Sequence, residues 1–375
     1  MSMQDSNSNW YSIDNIDELD SPVLVVYPER VRANIDTAIK MMGDAASLRP
    51  HIKTSKCRET IELMMIAGIQ KFKCATIAEA ETLGICGAPD VLLAYQPTGP
   101  KLQRFVTVIK KYTATRFSCL TDNIVAAQQM AMAFEQAGLT VPVFIDVNVG
   151  MNRTGIAPGE SLMHLYAACG KIAGIQPVGL HAYDGHIRDV DFKLRTERCD
   201  EAFAAVEKLQ SAIMTDGFTK PIIVMGGSPT FSVHCKRKGI ECSPGTFVYW
   251  DKGYADLCPE QPFLTAVLVI SRIISFPTAT RICADLGHKS IAAENELERR
   301  VYFLNAPYLK PVSQSEEHLV LEAGTDHFYT SGEVLYGLPV HVCPTVALYE
   351  RAITIENGKV SGEWKTIARD RKIEV

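Results

Sequence analysis

The stretch that decides the fold is TRFSCLTDNIVAAQQMAMAFEQAGLTVPVFIDVNV, which occupies residues 115–149. It starts with a short apolar run, 115–119, and ends with another, 141–149. Between them, the apolar residues of 124–138 recur at helical spacing, and Gly138 stands where a carboxyl-terminal cap is expected. The stretch is therefore predicted to be one strand–helix–strand unit of a parallel sheet.

The same alternation extends over the first two thirds of the chain. Eight runs are predicted to be strands, at 48–53, 71–77, 91–95, 115–119, 141–149, 178–184, 221–227 and 244–250. Eight such units need about 200–250 residues and close into a (β/α)8 barrel of the TIM type, whose chemistry lies at the carboxyl ends of the strands. We therefore predict an α/β fold with such a barrel over residues 21–255.

After about residue 255 the apolar runs follow one another without intervening helices. ENGK, at 356–359, is typical of a hairpin turn between two of these runs. The sequence therefore predicts a mostly antiparallel β-domain over 256–375, joined by residues 1–20.

Composition excludes several classes of protein. The chain has 375 residues, a hydrophobic fraction of 47% and a charged fraction of 22%, which is typical of a globular protein. No apolar segment approaches the roughly 20 residues of a membrane span, and the polar start lacks the features of an export signal. A net charge of −5 argues against nucleic acid, and eleven cysteines without paired spacing indicate reduced thiols. We expect a cytoplasmic protein with neither membrane nor nucleic acid as a partner.

Two kinds of candidate site residue stand at predicted strand ends. Lys53 ends the first run, where its amine would reach the barrel mouth, although its position alone is equally compatible with a surface lysine. VMGGSPT (224–230) and SPGTF (243–247) are glycine turns near the seventh and eighth strands, where barrel enzymes commonly bind phosphate. Either turn taken singly is better explained as a tight connection, so the pair carries the prediction.

Three further side chains follow the fifth and sixth predicted strands. Arg153 offers a permanently charged donor fork that suits a phenolate or carboxylate, but an exposed loop arginine would look the same. Tyr183 could contact a ligand through its ring or hydroxyl, and His186 could transfer protons. A lone histidine is more often a core residue, so the role of His186 stays open at this point.

His341 and Cys343 lie two residues apart in GLPVHVCPT, within a run that is predicted to be a strand. On a strand both side chains would point to one face, and imidazole with thiolate suits zinc. By itself, such a pair is more often a buried histidine and cysteine without a metal.

A series of motifs runs along nearly the whole chain, from about Asp20 to Ala368: RPHIKTSK (49–56), DVNVGMNRTG (146–155), HAYDGH (181–186), GGSPT (226–230), PGTFVYWD (244–251), DLGHKS (285–290), SEEH (315–318) and HVCPT (341–345). In kind and order they resemble the D-threonine aldolase and eukaryotic-type D-serine dehydratase family of fold-type III pyridoxal-phosphate enzymes. The resemblance implies an alanine-racemase-like barrel followed by a β-domain, in a homodimer that acts on D-amino acids.

The resemblance also assigns roles to residues. It implies that pyridoxal phosphate forms an aldimine with Lys53, that Arg153 contacts the phenolic oxygen and that Tyr183 lies next to the cofactor. The residues that it assigns to the cofactor's phosphate are Gly226, Gly227, Ser228, Thr230, Gly245 and Thr246.

The resemblance further implies a divalent metal, zinc or manganese, on His341 and Cys343. In the family a His-x-Asp pair goes with the aldolases and a His-x-Cys pair with the dehydratases, so Cys343 favours dehydration over aldol cleavage. An amino-acid racemase and a non-catalytic pyridoxal-phosphate-binding protein are the alternatives. The sequence leaves open the D-amino acid, the native metal and the general base.

Overall fold

A computed structural model describes residues 10–375, in which a 3₁₀ turn (Ile16–Glu18) precedes the first strand, β1 (Val23–Val26), and the first α-helix, α1 (Pro28–Met42). Residues 1–9, part of the segment expected to join the β-domain, lie outside the described residues. The chain divides into two units. One contains residues up to Thr37 with Thr246–Arg369, and the other contains Ala38–Gly245 with Asp370–Val375. The domain boundaries expected at 20/21 and 255/256 stay predictions.

The unit that starts at Ala38 contains a seven-stranded parallel sheet in which each strand pairs with the next along the chain. Its strands are β2 (Lys71–Cys74), β3 (Asp90–Leu93), β4 (Arg116–Thr121), β5 (Val141–Asp146), β6 (Ile175–Ala182), β7 (Ile222–Met225) and β8 (Ile240–Cys242). Its helices after α1 are α2 (Arg58–Ile66), α3 (Ile77–Ile85), α4 (Pro100–Lys111), α5 (Ile124–Gln136), α6 (Glu160–Cys169), α7 (Phe192–Thr215) and α8 (Phe231–His234). This is the barrel predicted from the alternating pattern.

Residues 48–52 close this sheet into a ring without forming a strand. Leu48 bridges Cys242 of β8, and His51 bridges Lys73 of β2, both in parallel orientation. The Lys73 N–H donates to the Pro50 carbonyl at 2.8 Å. The predicted strand 48–53 was wrong in form, because Pro50 has no N–H to donate and the chain turns from Ile52. Its position in the ring is the one expected of a first strand.

The predicted last strand, 244–250, was also wrong. The final strand is β8, and the chain then turns at Pro244 and Gly245 into a 3₁₀ turn over Thr246–Val248. Proline and glycine in succession are unfavourable within a strand, which explains the error. The SPGTF turn therefore follows the last barrel strand instead of starting it.

Helix α5 shows how the local sequence determines an element. Its start is capped by Asn123, whose side-chain oxygen accepts the N–H of Ala126. Ala127, Met130 and Phe134 are fully buried at helical spacing, and Gly138 adopts φ +72° just after the end. The helix predicted over 124–138 is confirmed.

The other unit is built on a nine-stranded, mostly antiparallel sheet, as predicted for the second part of the chain. Besides β1 it contains β9 (Val267–Thr278), β10 (Arg281–Ala284), β11 (Val301–Phe303), β12 (Lys310–Gln314), β13 (Leu319–Glu322), β14 (Val334–Pro339), β15 (Arg351–Glu356) and β16 (Lys359–Lys365). Its helices, apart from the start of α1, are α9 (Lys252–Leu257) and α10 (Val342–Leu348). Strand β1 lies between β9 and β15, and only its pairing with β15 is parallel.

Two sequence expectations on this unit and on the cysteines are confirmed. The hairpin between β15 and β16 turns at Asn357 and Gly358, whose φ angles of 51° and 72° fit a tight two-residue turn. All eleven cysteines are free thiols. Within residues 10–375, no helix has the length and apolar character required to cross a bilayer.

Arg49 holds the closing segment in place. Its side chain is 1% exposed, and its Nε lies 2.7 Å from Glu241 Oε2 on β8. Its Nη1 lies 2.6 Å from Asp90 Oδ1 at the start of β3. A buried arginine with two carboxylate partners therefore ties residues 48–52 to strands on both sides of the ring.

We predict that Arg49→Leu lowers the free energy of unfolding by about 3–5 kcal/mol, because it leaves the buried Glu241 carboxylate short of a partner. Urea denaturation followed by circular dichroism measures the loss. Arg58→Leu is the matched control, since Arg58 forms an exposed i,i+4 pair with Glu62 that contributes only about 0.3–0.5 kcal/mol. Equal losses in the two variants would show that Arg49 has no special role in closure.

Candidate active site

The backbone around Lys53 is fixed by the histidine two residues earlier. His51 Nδ1 accepts the Lys53 N–H at 3.2 Å. Burial, and next the charges of Lys53 and Lys73, hold the pKa of His51 well below its usual value. The neutral ring can therefore present a lone pair to the Lys53 N–H. Lys53 itself lies half-buried in the turn that follows the closing segment.

Tyr183, just after β6, brings several predicted residues together. Lys53 Nζ lies 5.8 Å and Arg153 Cζ 5.0 Å from the centre of its ring. A Cβ added to Gly227 would lie 3.0 Å from Tyr183 Cε2, so the first glycine turn packs directly against the same ring. Three elements predicted separately, the lysine, the arginine and the glycine turn, thus meet at one aromatic side chain.

The two glycine turns are joined to each other and to the Lys53 segment. Ser228 Oγ accepts the Gly245 N–H at 3.2 Å. A Cβ at Gly245 would lie 2.9 Å from the His51 carbonyl oxygen, so only glycine fits there without a shift. Gly226 has φ +84°, which also favours glycine. Backbone groups of both turns can therefore approach a phosphate closely, as required of a cradle.

Asp184, which the sequence reasoning did not identify, supports the first glycine turn from within. Its Oδ1 accepts from the Thr230 hydroxyl at 2.8 Å and from the Gly227 N–H at 3.3 Å. Its Oδ2 lies 2.8 Å from His234 Nε2. Burial alone would raise the pKa of Asp184, but His234, Thr230 and Gly227 together hold it below its usual value. Thr230 is itself fully buried, and its predicted contact with phosphate stays a prediction.

Asp184, Cys199 and His234 also form a cluster whose potential ligand atoms lie within 4.8 Å of one another. The chemistry of this cluster fits a structural role better than a metal. Asp184 and His234 already bond to each other, Asp184 also accepts from Thr230 and Gly227, and burial raises the pKa of Cys199 to about 12. Asp184 and His234 support the glycine turn instead, and Cys199 packs with Ile187 and Val233.

A second lysine, missed in the sequence, lies close to the same tyrosine. Lys73 on β2 is 2% exposed, and its Nζ lies 5.5 Å from the Tyr183 ring centre. It donates to Ser243 Oγ and lies 3.5 Å from His181 Nε2. His181 Nδ1 in turn lies 2.7 Å from Asp146 Oδ1. The signal in the sequence was weak, because KFKC resembles a strand with lysines on a solvent face.

His186 lies beside Gly150, in a groove of the barrel unit. A Cβ at Gly150 would lie 2.9 Å from His186 Nε2, and Arg198 and Glu201 line the same groove. Burial, the largest influence, lowers the pKa of His186, and its Nδ1 is buried without a hydrogen-bond partner among the described residues. The contacts of His186 are thus with this groove, and its predicted part in proton transfer stays a prediction.

The candidate metal pair lies at the start of a helix and not on a strand, which corrects the reason given for its geometry. Strand β14 ends at Pro339, His341 caps α10, and Cys343 lies in its first turn. The helix starts there because Asp251 Oδ2 accepts the Val342 N–H at 3.0 Å. The two side chains still come within hydrogen-bonding reach of each other.

The surroundings of this pair favour a cation. Burial alone would lower the pKa of His341, but Cys343, Glu294 and Asp251 raise it to about 9. His341 Nδ1 contacts Glu294 Oε1, and Cys343 Sγ lies 3.7 Å from Thr246 Oγ1. Thr246, predicted to bind phosphate, therefore lies next to a candidate metal ligand in the same unit.

Comparison with known proteins gives concordant matches over both units. Residues 26–252 match the family described as "Alanine racemase, N-terminal domain", and residues 266–355 match the one described as "Putative serine dehydratase domain". The D-threonine aldolase of Arthrobacter sp is 25% identical over 367 residues, which cover 95% of this chain and 94% of the relative. The D-threo-3-hydroxyaspartate dehydratase of Delftia sp. (strain HT23) is 24% identical over 248 residues, 64% of this chain and 63% of the relative.

The fold is likewise that of a solved structure. The crystal structure of D-threonine aldolase from Filomicrobium marinum has a TM-score of 0.86 and 25% identity, covering 94% of this chain and 96% of that one. The relatives named as aldolase and dehydratase carry the names of lyases, and pyridoxal phosphate is the cofactor expected of this fold. The first family match spans more than half of the sequence, so the chain belongs to the alanine racemase N-terminal domain family.

Proposed function

We propose that this chain is a pyridoxal-phosphate-dependent lyase that acts on D-β-hydroxy amino acids. The observation that supports this most is the convergence of Lys53, Arg153 and the 226–230 glycine turn on the ring of Tyr183. The names of the relatives support the same reaction class. A homodimer remains an expectation from the resemblance, and a cytoplasmic location remains an expectation from the composition.

The residues around Tyr183 fit the cofactor. Pyridoxal phosphate, when bound, would supply an electron sink for the substrate's α-carbon. Lys53 would hold it covalently through its amine, and Arg153 would hold the phenolic oxygen with its donor fork. The backbone of the two glycine turns, with Ser228, would bind the phosphate. Glycine is required at 245 because a side chain would strike the His51 carbonyl, and a side chain at 227 would crowd Tyr183, which supports this cradle.

His341 and Cys343 would hold one divalent ion, zinc or manganese. Imidazole and thiolate suit zinc, and the neighbouring Glu294 and Asp251 carboxylates make the site favourable for a positive charge. The ion would act as a Lewis acid on the substrate's hydroxyl group. Two protein ligands cannot complete a structural zinc cage, which supports an open site in which water and substrate take the remaining positions.

Between the two lyase reactions, we propose dehydration. The His-x-Cys pair supports it through the family pattern, and an aspartate in place of Cys343 would have pointed to aldol cleavage. Incubation of the purified protein with D-serine, D-threonine and D-3-hydroxyaspartate tests the choice, because dehydration yields a keto acid and ammonia, whereas aldol cleavage yields glycine and an aldehyde.

We predict that the D-enantiomers are turned over and the L-enantiomers are not, with a ratio of rates of at least about 1,000, as expected where the site positions one face of the substrate. Chiral chromatography of residual substrate and product measures both rates. Racemised D-serine without keto acid would instead make the chain a racemase, and absence of any turnover with cofactor bound would make it a binding protein.

We predict that borohydride reduction of the protein with bound pyridoxal phosphate labels Lys53 and not Lys73. Lys53 lies in an accessible turn, whereas the Lys73 amine is enclosed and bonded to Ser243. Peptide mapping by mass spectrometry identifies the labelled residue. The Lys53→Met variant is expected to remain folded but to keep no label, and label on Lys73 or Lys56 would contradict the assignment.

We predict that a chelator removes at least about 90% of the lyase activity without changing the melting temperature or the label on Lys53, because an open metal site contributes to chemistry and not to the fold. Elemental analysis follows the metal, and added zinc or manganese should restore activity. Cys343→Ala should behave like the chelated protein, whereas Cys86→Ala, the other half-buried cysteine, should behave like the wild type. Full activity of a metal-free preparation would remove the metal from the proposal.

A further inference from the structure

Lys73 is a buried amine to which the proposed function assigns no part. It lies at the carboxyl end of β2, is 2% exposed, and is enclosed between Ser243 and His181. Within the described part of the chain, no carboxylate lies within ion-pair distance of its amine. Lys56 shows the contrast, since it pairs directly with the buried Glu79 carboxylate as a structural lysine does. Burying a charged lysine without a carboxylate partner costs folding free energy, which indicates that Lys73 has a function.

The partners of Lys73 connect it with the site around Tyr183. Its amine donates to Ser243, two residues before Gly245 of the second glycine turn. On its other side, His181 Nε2 lies at 3.5 Å, and His181 Nδ1 lies 2.7 Å from Asp146. Asp146 lines a small pocket together with Arg153 and Tyr183. A chain of exchangeable protons therefore runs from the Lys73 amine to the pocket beside Tyr183.

The charges around Lys73 favour proton exchange near neutrality. Burial has the largest effect on its pKa, Lys53 adds to it, and Asp184 and Asp146 oppose it, so that the pKa of Lys73 is lowered to about 7. The titratable and charged groups that face this amine from the surrounding elements are Arg49, His51, Lys53, Asp146, Arg153, His181, Tyr183 and Asp184. Asp146 and Asp184 are each bonded to a histidine. A proton gained or lost by Lys73 therefore changes the net charge of the chamber, by which we mean the space around the Tyr183 ring.

We propose that Lys73 is a positioning residue whose gain or loss of a proton sets the ionisation state of the cofactor bound at Lys53. The inference rests on the proposed function, since it requires pyridoxal phosphate near Tyr183. As an ammonium, Lys73 favours the more anionic forms of the cofactor. As a neutral amine, it keeps its hydrogen bond to Ser243 but withdraws one positive charge from the chamber.

The test is a titration of the absorbance of bound pyridoxal phosphate between pH 6 and 9, which reads ionisation directly and does not depend on turnover. The wild type is expected to show a reversible change within this range. Lys73→Met should abolish it because the group that titrates is gone. Lys73→Arg should also abolish it, because a guanidinium keeps its proton throughout this range. Circular dichroism and thermal melting identify a variant that does not fold.

Ser243→Ala gives a third variant that keeps the lysine and predicts a direction. The Ser243 hydroxyl accepts a hydrogen bond from Lys73 that is stronger when Lys73 is an ammonium than when it is an amine. Removing the hydroxyl should therefore lower the pKa of Lys73 and move the midpoint to lower pH. Lys71→Met is the matched control, since Lys71 lies on the same strand but pairs with Glu241, and its titration should match the wild type. An unchanged midpoint in Lys73→Met, or a wild-type spectrum constant over this range, would overturn the proposal.

Failure of the proposed function is distinguishable from failure of this inference. If borohydride labels no lysine, the chain does not hold the cofactor and the proposed function fails first. If Lys53 is labelled but the titration is insensitive to Lys73, only the role of Lys73 is lost. Label on Lys73 itself would overturn both the assignment of Lys53 and the role proposed for Lys73.

Discussion

The site depends on the closure of the barrel by residues 48–52, a segment that forms no strand of its own. Arg49 binds carboxylates on β3 and β8, so the segment is held from both sides of the ring. Because it is held there, His51 can both bridge Lys73 and accept the N–H of Lys53. The carbonyl of His51 then lies against Gly245. One buried arginine thus determines where the lysine and the second glycine turn meet.

Basic groups predominate around the ring of Tyr183. Lys53, Lys73 and Arg153 surround the ring, and each carboxylate that faces them is bonded to a histidine, Asp146 to His181 and Asp184 to His234. The excess of basic groups matches a ligand that carries a phosphate and a phenolic oxygen. Asp184 does more than balance charge, because it fixes the backbone of the first glycine turn through Gly227 and Thr230.

Periodicity and turn residues predicted most of the fold, and they failed where a distant contact determines the local structure. The apolar run around His341 has the pattern of a strand, but the Asp251 carboxylate, ninety-one residues earlier, accepts the Val342 N–H and starts a helix. In the same way, nothing near 244–250 shows that Gly245 must lie against His51. Such contacts exist only after the chain has folded, so local pattern cannot reveal them.

The residues of the candidate site also fall into those that the local sequence revealed and those that only the folded chain reveals. Lys53, Arg153, Tyr183 and the glycine turns were identified from motifs, and the structure brings those of the barrel unit together. Lys73 was missed because alternation along a strand distinguishes two faces but not which face is enclosed. Lys71 and Lys73 share a face, yet the first remains partly exposed beside Glu241 and the second is enclosed by the ring. Only the closed barrel shows that Lys71 remains partly exposed to solvent whereas Lys73 is enclosed beside Tyr183.

The residues that the proposed function uses also explain why the family pattern contains two reactions. Dehydration starts with loss of a proton from the α-carbon, and aldol cleavage starts with loss of a proton from the β-hydroxyl. Most of the barrel residues serve both reactions equally, since Arg153, Tyr183 and the glycine turns would hold the cofactor and leave the substrate's protons untouched. The choice must then be made by the groups that receive protons or bind the hydroxyl oxygen. Under the proposed function, the family pattern links that choice to the second residue of the metal pair. Cys343 is then the residue of this chain at which the two proposed reactions would diverge.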